Sequence, residues 1–318
     1  MSDYSNDSLA ETQANRRVVP PVEQFQAIRV AQKRARPTRR PRRRLPGCVS
    51  VFLIGSAALI GLLVVLLVLP FPVNFVVMGI DRTPEGTALG RSDTIILISV
   101  HPLKPKVGML SIPRDLWVQI PGVGENRINT AHFFAEANEP GSGPQALLDT
   151  IALNFNASIP YYVRFQFDAF QDVVEAMDGV TIDLDHATGG YDAGQHHLNG
   201  EQALAFVRDR AGSDDFFRME RGQIFIKAVM HRLLSPVTWP KLPAILTAIF
   251  ANVDTNLPIW AWPRIGFAVL RTGIDGIDNR TINRDMVTPY TTDQGANVLL
   301  PRWELILPVV NEILYGGS

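Results

Sequence analysis

The feature that most constrains this chain is an uninterrupted apolar run near its N-terminus, VSVFLIGSAALIGLLVVLLVL, which covers residues 49–69. A helix of that length spans about 30 Å, the thickness of the hydrocarbon core of a bilayer. The run is too long for the apolar region of a signal peptide, and Pro70 and Pro72 follow it instead of a small-residue cleavage site. We therefore predict one transmembrane helix over residues 48–70.

Charge is distributed unevenly on the two sides of this run. Residues 1–47 carry eleven Lys/Arg and four Asp/Glu, whereas the rest of the chain carries nineteen and twenty-seven. Because basic segments stay on the cytoplasmic side, we predict a disordered basic cytoplasmic tail over residues 1–47 and an extracytoplasmic domain over residues 71–318. Nucleic acid also binds arginine-rich segments, but membrane orientation already accounts for these charges, so nucleic acid is not expected as a partner.

The exterior part of the chain alternates between two kinds of hydrophobic pattern. Its single domain must be stable without an internal disulfide, because Cys48 is the only cysteine. Short β-branched runs predict strands over residues 73–80, 93–100, 106–113, 161–167 and 180–184. Helical spacing is found over residues 143–155, 168–177, 199–207, 215–234, 241–251 and 301–314. This alternation predicts an α/β fold with a mixed central sheet that helices cover on both faces.

Two aspartates stand at neighbouring ends of the first two predicted strands. Asp81 closes the first strand in GIDRT, and Asp93 opens the second in GRSDT, beside Arg91. A strand–loop–strand unit can bring both carboxylates to one edge of the sheet, where hard oxygen ligands suit Mg²⁺, with Mn²⁺ as the alternative. The other reading, that both residues only cap or turn the loop, stays open on spacing alone.

Arginines make up a second group of candidates. Arg114 follows a predicted strand and Pro113 in SIPRDLWV, which would hold it at a rigid strand end. Arg208 and Arg210 are two residues apart and would share a face in extended chain, whereas Arg218 and Arg221 are three apart and share a helical face.

Arginine suits a polyvalent anion because its planar guanidinium binds phosphate oxygens in pairs and stays charged. In the competing structural reading, these arginines pair with nearby carboxylates such as Asp209, Asp214, Asp215 and Glu220. The motifs of serine hydrolases, P-loop NTPases, dinucleotide-binding proteins and zinc proteases are missing from the sequence.

The ordered set GIDRT, GRSDT, SIPRDLWV, INTAH, YYV, LNGEQALAFVRDR and DDFFRMERGQ resembles the LytR–CpsA–Psr family of cell-envelope proteins. The resemblance covers about residues 73–235. It implies a three-layer α/β/α domain behind one transmembrane helix. It also implies a phosphotransferase that moves a glycopolymer from a polyprenyl diphosphate carrier to a cell-wall acceptor, usually a peptidoglycan hydroxyl.

The resemblance also assigns roles to residues of this chain. Asp81 and Asp93 match the metal-associated aspartates of the family and, with Arg114, are the expected catalytic residues. The expected diphosphate-binding arginines are Arg91, Arg114, Arg208, Arg210, Arg218 and Arg221.

One position departs from the family pattern. The family commonly reads R-x-x-R-Q-Q, whereas this chain has Gly222 in place of the first glutamine. Two alternatives to glycopolymer transfer remain at this stage: hydrolysis of a polyprenyl diphosphate, and lipid binding or regulation without catalysis.

Overall fold

The computed structural model describes residues 47–68, 71–81, 88–101, 106–209 and 215–316. The chain divides into two units, residues 1–58 and residues 59–318. The apolar run forms helix α1, Cys48–Val68. No single helix in the described part of the chain passes a length and hydropathy test for a membrane span. Helices over Phe216–Leu234 and Pro236–Asn252, bent by 81°, pass it only as a pair.

A six-stranded mixed sheet organises the rest of the described chain, in the order β10-β3-β2-β1-β6-β9. Strands β1 and β6 are parallel, as are β3 and β10, and the other neighbouring pairs are antiparallel. The bounds of these strands are Val73–Asp81 (β1), Arg91–His101 (β2), Lys106–Ser111 (β3), Tyr161–Gln166 (β6), Val253–Thr255 (β9) and Asp278–Thr281 (β10). The mixed sheet therefore confirms the predicted α/β fold.

Hairpins and helices accompany the sheet in the described part of the chain. The hairpin strands are Trp117–Ile120 (β4) with Gly124–Arg127 (β5), Val180–Leu184 (β7) with Gly194–Leu198 (β8), and Val287–Thr291 (β11) with Asn297–Pro301 (β12). The helices are Thr130–Asn138 (α2), Gly143–Phe155 (α3), Phe167–Ala176 (α4), Gly200–Arg208 (α5), Asp215–Leu234 (α6), Leu242–Asn252 (α7), Ala261–Thr272 (α8) and Trp303–Tyr315 (α9).

Alternate residues of the central strands pack into different cores. In β1, Val76, Met78 and Ile80 join a core that includes residues of α3 and α9. Val73 and Phe75 point the other way, into a second core that includes residues of α8. This period of two is what a strand between two helical layers requires, so helices flank both faces of the sheet as predicted.

The structure corrects one predicted boundary near the arginines. A capping box between Asn199 and Gln202 starts α5, and the helix continues through Arg208. The prediction that Arg208 lies in extended chain is therefore wrong, because α5 ends at Arg208 and not near Val207. Arg210, the other half of the predicted extended pair, lies outside the described residues.

Candidate functional site

The first candidate residues, Asp81 and Asp93, lie near a β-bulge in the pairing of β1 with β2. Gly79 lies opposite Thr94, but the next residue, Ile80, lies opposite Ser92, so Asp93 is the extra residue of the bulge. A bulge of this kind changes the direction of one side chain without breaking the sheet. Asp81 ends β1 opposite Arg91, whose side chain is exposed; the side chain of Asp81 lies outside the described residues.

Three donors converge on Asp93. Arg114 Nη1 donates to Oδ2 at 3.3 Å, Asn129 Nδ2 donates to Oδ1 at 3.2 Å, and Arg218 Nη2 donates to the backbone oxygen at 3.5 Å. The side chains of Asp93 and Arg114 are 17% and 24% exposed, so solvent and solutes still reach this ion pair. The fold thus brings together three of the residues chosen from sequence, although 125 residues separate Asp93 from Arg218.

A further arginine joins the cluster through a shared carboxylate. Asp115 accepts from Arg114 Nε at 3.4 Å through one oxygen and from Arg127 Nη1 at 3.3 Å through the other. Sequence reasoning missed Arg127, because only the pairing of β4 with β5 carries it back to Asp115. The three arginines, including Arg218, outnumber the two aspartates of the cluster, so the described part of the site favours an anion.

Asn129 lies in the INTAH motif but is not among the site residues predicted from the sequence. It is 2% exposed, and its backbone ties two parts of the site together. The Asn129 N–H donates to Arg114 O at 3.2 Å, and Asn129 O accepts from the Ser92 N–H at 3.3 Å. Its Oδ1 is buried and has no hydrogen-bond partner among the described residues. An unpaired buried acceptor is costly in a folded protein, and it often marks the place of a water or an ion.

Arg221 is in a different situation from Arg218. It is only 2% exposed, and it donates to the backbone oxygen of Asp209, whose carboxylate lies 4.0 Å from Nη1. Burial lowers the pKa of Arg221 from its ordinary value. A Cβ at Gly189, which has a φ of 60°, would come within 2.5 Å of the Phe206 ring and 3.2 Å of Arg221 Cδ. Arg221 therefore ties α6 to the end of α5, as the structural reading expects.

A second polar cluster lies under the start of β2 and was not recognised from the sequence. His132 is fully buried, and its Nδ1 donates to Gly90 O at 2.9 Å. Its Nε2 must then accept from Arg164 Nη1 at 3.3 Å, which defines a neutral tautomer. Arg164 also binds Glu136 at 3.1 Å and Asp254 at 2.7 Å.

The ionisation of this cluster follows from its burial and partners. Burial lowers the pKa of His132, which agrees with the neutral tautomer. Burial alone would raise the pKa of Glu136, but N–H groups of Gly141 and Gly143 and the charge of Arg164 lower it below its ordinary value. An ionised Glu136 thus neutralises Arg164 under the candidate site.

An apolar cavity of about 400 Å³ lies beside the sheet. Phe75, Val163 and Phe165 line it from the strands, and residues of α4, α7 and α8 line it from the helices. Helix α6 contributes Phe225 and Val229, which lie within about 20° of Arg218 around the helix axis because they follow it by seven and eleven residues. One face of α6 therefore carries the guanidinium that contacts Asp93 and, further along, the apolar wall of the cavity.

Residues 71–301 match the model of the LytR_cpsA_psr family. The chain belongs to the LytR–CpsA–Psr family. The match covers most of the domain, including residues 236–301, for which the sequence alone offers no signature, and it ends before α9.

Named relatives and solved structures agree with this family. The chain is 41% identical over 191 residues to an Oceanobacillus iheyensis protein, polyisoprenyl-teichoic acid–peptidoglycan teichoic acid transferase TagU, covering 58% of this chain and 59% of the relative. Identity to the Bacillus mycoides TagU is 33% over 193 residues, covering 58% and 60%. The chain thus spans about three fifths of the length of the curated relatives it matches.

Two solved structures show the same fold. B. subtilis TagV superposes with a TM-score of 0.62 at 26% identity, over 78% of this chain and 99% of TagV. B. subtilis TagT superposes with a TM-score of 0.59 at 23% identity, over 76% of this chain and 89% of TagT. The mixed sheet with flanking helices is therefore the fold of this LytR–CpsA–Psr protein.

The structure also explains part of the departure at Gly222. Gly222 is buried, yet a Cβ built on it would meet nothing within 4 Å, so space for a side chain exists there. The next residue, Gln223, donates to Ser111 Oγ at 2.8 Å and to Arg280 O at 2.7 Å. Gln223 is thus engaged in holding α6 against β3 and β10 and does not replace a glutamine at position 222.

Proposed function

We propose that this protein transfers a glycopolymer phosphate from a polyprenyl diphosphate carrier to a hydroxyl of the cell wall. The observation that supports this most strongly is the single face of α6, on which Arg218 at the Asp93 cluster is followed by the wall of the apolar cavity. A ligand that fits both must have an anionic head and a long apolar tail. The names of the TagU relatives describe transfer of teichoic acid from a polyisoprenyl carrier to peptidoglycan, which supports the same reaction here.

The described residues favour a diphosphate head group at the Asp93 cluster. Arg114 and Arg218 approach Asp93 from different elements, and Arg127 adds a third positive charge through Asp115. Guanidinium groups held on separate elements can bind phosphate oxygens without moving during the reaction, which is what stabilisation of developing charge requires. Arg91, Arg208 and Arg210 remain predictions for the same head group, and we assign Arg221 to support of α6.

The reaction would exchange one phosphorus–oxygen bond for another. The acceptor hydroxyl attacks the sugar-side phosphorus, its new P–O bond forms, and the bond from that phosphorus to the bridging oxygen breaks. The polyprenyl monophosphate leaves, and Arg114 and Arg218 stabilise the negative charge on it. The hydroxyl proton passes to the carboxylate of Asp81 or Asp93, which is the role of a general base.

We further propose that Asp81 and Asp93 hold Mg²⁺, or Mn²⁺ in its place, with Asn129 Oδ1 as an additional oxygen. The buried and unpaired Asn129 Oδ1 beside Asp93 is the observation that supports this fit. Within the described part of the chain, no group of three His, Cys, Asp or Glu side chains could hold a metal ion alone. This agrees with an ion that takes few protein ligands and completes its shell with water and phosphate. When bound, the cation would withdraw negative charge from the diphosphate oxygens.

The proposed topology follows the sequence. We propose that residues 48–70 span the membrane as one helix, with residues 1–47 in the cytoplasm and residues 71–318 outside the cell. The helical conformation of Cys48–Val68 supports this, because an apolar helix satisfies all its backbone hydrogen bonds internally. Membership of the LytR–CpsA–Psr family supports an extracytoplasmic catalytic domain.

The function is tested with the full chain, a polyprenyl diphosphate glycan, Mg²⁺ and peptidoglycan. We expect wall-linked glycan phosphate and free polyprenyl monophosphate as products, and their loss in Asp93→Asn. Asp149→Asn, at an exposed position of α3, is the matched control and should keep full activity. Glycan phosphate released into solution would show a hydrolase instead, and carrier binding without turnover would show a lipid-binding protein.

A further inference from the structure

A patch of apolar side chains on the surface of the domain has no role in the site described above. Ile259 is 82% exposed, Phe71 66%, Phe250 61%, Leu246 45% and Trp260 37%. We call these five residues the aromatic patch. Isolated apolar residues are common on protein surfaces, but a continuous group of this size usually marks an interaction surface.

Contacts link members of the aromatic patch to residues at the start of α8. Leu246 and Phe250 lie one turn apart on α7, and the Phe250 ring lies 6.4 Å from that of Trp262 on α8. At the start of α8, the Trp260 ring lies 5.6 Å from the guanidinium carbon of Arg264.

Arg264 joins this group to the point where the chain enters the domain. It is only 1% exposed, and its Nη2 donates to the backbone oxygen of Phe71. Phe71 follows the end of α1, Val68, by three residues, a distance of at most about 11 Å of extended chain. Phe71, a member of the aromatic patch, is therefore held close to the proposed membrane helix by a short length of chain.

The composition around the aromatic patch identifies the partner that fits it. Residues 236–273 contain one acidic residue, Asp254, and three basic ones, Lys241, Arg264 and Arg271. Asp254 is already paired with Arg164 at 2.7 Å. Lys241 pairs with Asp178 and Arg264 is buried, so few charges lie among these Trp, Phe, Ile and Leu side chains. The boundary between lipid head groups and acyl chains accepts such a surface. A soluble protein partner would not explain why Phe71, so close to α1 along the chain, belongs to the patch.

We propose that the aromatic patch lies against the outer surface of the bilayer in which α1 is embedded. Helix α7 then has lipid on the side of Leu246 and Phe250 and the apolar cavity on the side of Ile249, which lines that cavity. Trp262 and Ile265 of α8 line the same cavity. The following consequence rests on the proposed function. In this orientation an isoprenoid tail can pass between the bilayer and the cavity without crossing water.

The orientation can be measured in the full chain without any assay of the reaction. Cys48→Ser removes the only cysteine, so that Ile259→Cys accepts a single environment-sensitive fluorophore. The matched control is Tyr290→Cys, which is 47% exposed on the β11–β12 hairpin. That hairpin packs on the core of α3 and α9, whereas α8 packs on the opposite face of the sheet.

Both labelled proteins are placed in vesicles of phosphatidylcholine and phosphatidylglycerol that contain a lipid with a spin label near its head group. We expect quenching by the spin-labelled lipid to be at least threefold stronger at position 259 than at position 290, and quenching by iodide in solution to be weaker. Equal quenching at the two positions, or stronger iodide quenching at position 259, would overturn the proposal.

A second measurement separates this inference from the proposed reaction. Phe250→Ser combined with Ile259→Ser should slow transfer from a carrier embedded in vesicles several-fold and leave transfer from a short-chain carrier in detergent unchanged. Equal slowing with both carriers would contradict the lipid-entry role. If the wild-type chain transfers nothing, the proposed function fails, while the fluorescence result still decides the orientation.

Discussion

The protein contains two polar clusters close to the start of β2, and they are built from the same residue types. Around Asp93, the ion pair with Arg114 is about one fifth exposed, and Asn129 Oδ1 has no partner in the described part of the chain. Around Arg164, both carboxylate partners and His132 are in place, and Glu136 also accepts two backbone N–H groups. Complete satisfaction indicates a structural role, whereas partial exposure and an unpaired acceptor indicate a binding site.

The largest effect is expected from a substitution that breaks the cluster around Arg164, which we call the structural cluster. Arg164→Ala leaves the buried Glu136 carboxylate without its cation, and we expect a loss of about 3–5 kcal/mol in the free energy of unfolding. Denaturant unfolding of this variant and of Arg91→Ala, at an exposed position, measures it. A loss under about 1 kcal/mol for Arg164→Ala would show that the cluster does not stabilise the fold.

In the cluster around Asp93, which we call the open cluster, we expect a large loss of activity and only a small change in stability. Arg218→Ala should lower the rate of glycopolymer transfer by about 10²–10³-fold, because one fixed donor to the developing charge is lost. Its free energy of unfolding should change by less than about 1 kcal/mol, since Arg218 Nη2 lies as far as 3.5 Å from the Asp93 backbone oxygen. Arg302→Ala, an exposed arginine at the start of α9, is the control. Unchanged transfer in Arg218→Ala would remove Arg218 from the site.

Asn129 tests the metal part of the open cluster. Asn129→Ala removes the unpaired Oδ1 and the donor to Asp93, and we expect Mn²⁺ affinity to fall about 10–100-fold, as for other groups that orient metal ligands. Titration of the full chain with Mn²⁺, followed by electron paramagnetic resonance, measures this without turnover. Asn154→Ala, on α3, provides the control. Equal Mn²⁺ affinity in all three proteins would exclude Asn129 from the metal site.

The structural cluster should also make stability depend on pH. The pKa of His132 is lowered in the fold, so the unfolded chain takes up a proton first as the pH falls below 6.5. The stability from neutral His132 is therefore present above pH 6.5 and is lost below it, by up to about 1.4 kcal/mol per pH unit. Glu136, whose pKa is also lowered, adds a second loss below pH 4.5.

The free energy of unfolding, measured between pH 7.5 and pH 4, should show both losses of stability. His132→Gln should flatten the first decline, and His231→Gln, at an exposed position of α6, should leave it unchanged. A wild-type stability that stays constant between pH 7 and pH 5 would contradict the buried neutral histidine.

The smallest effect concerns the departure from the family pattern. Gly222→Gln and Gly222→Ala should each raise the free energy of unfolding by about 0.5–1 kcal/mol, because glycine is a poor helix former and the position has room. The glutamine variant alone should change the KM for the carrier, since position 222 lies about 40° from Arg218 around α6. Identical KM values for the two variants would show that the added amide does not reach the head group.

Much of the architecture was predictable because it depends on local patterns. The β-branched runs gave β1 and β2, and helix α3 was predicted over the residues it occupies, Gly143–Phe155. Short elements were missed, including the hairpin of β4 and β5, whose strands have four residues each, and helix α2, which has nine. Arg208 was expected in strand-like chain, but it is the last residue of α5. The capping box marks only the start of this helix, so it does not indicate where the helix ends.

The sequence by itself determined the apolar helix, the alternation of strands and helices, and the residue types that could bind a diphosphate. Those features depend on neighbours along the chain, so they can be read without a fold. Only the tertiary structure decided which arginine serves which purpose. Arg218 and Arg221 are three residues apart, yet one reaches Asp93 and the other is buried against Asp209. The difference arises because partners 125 and 12 residues away approach different sides of one helix.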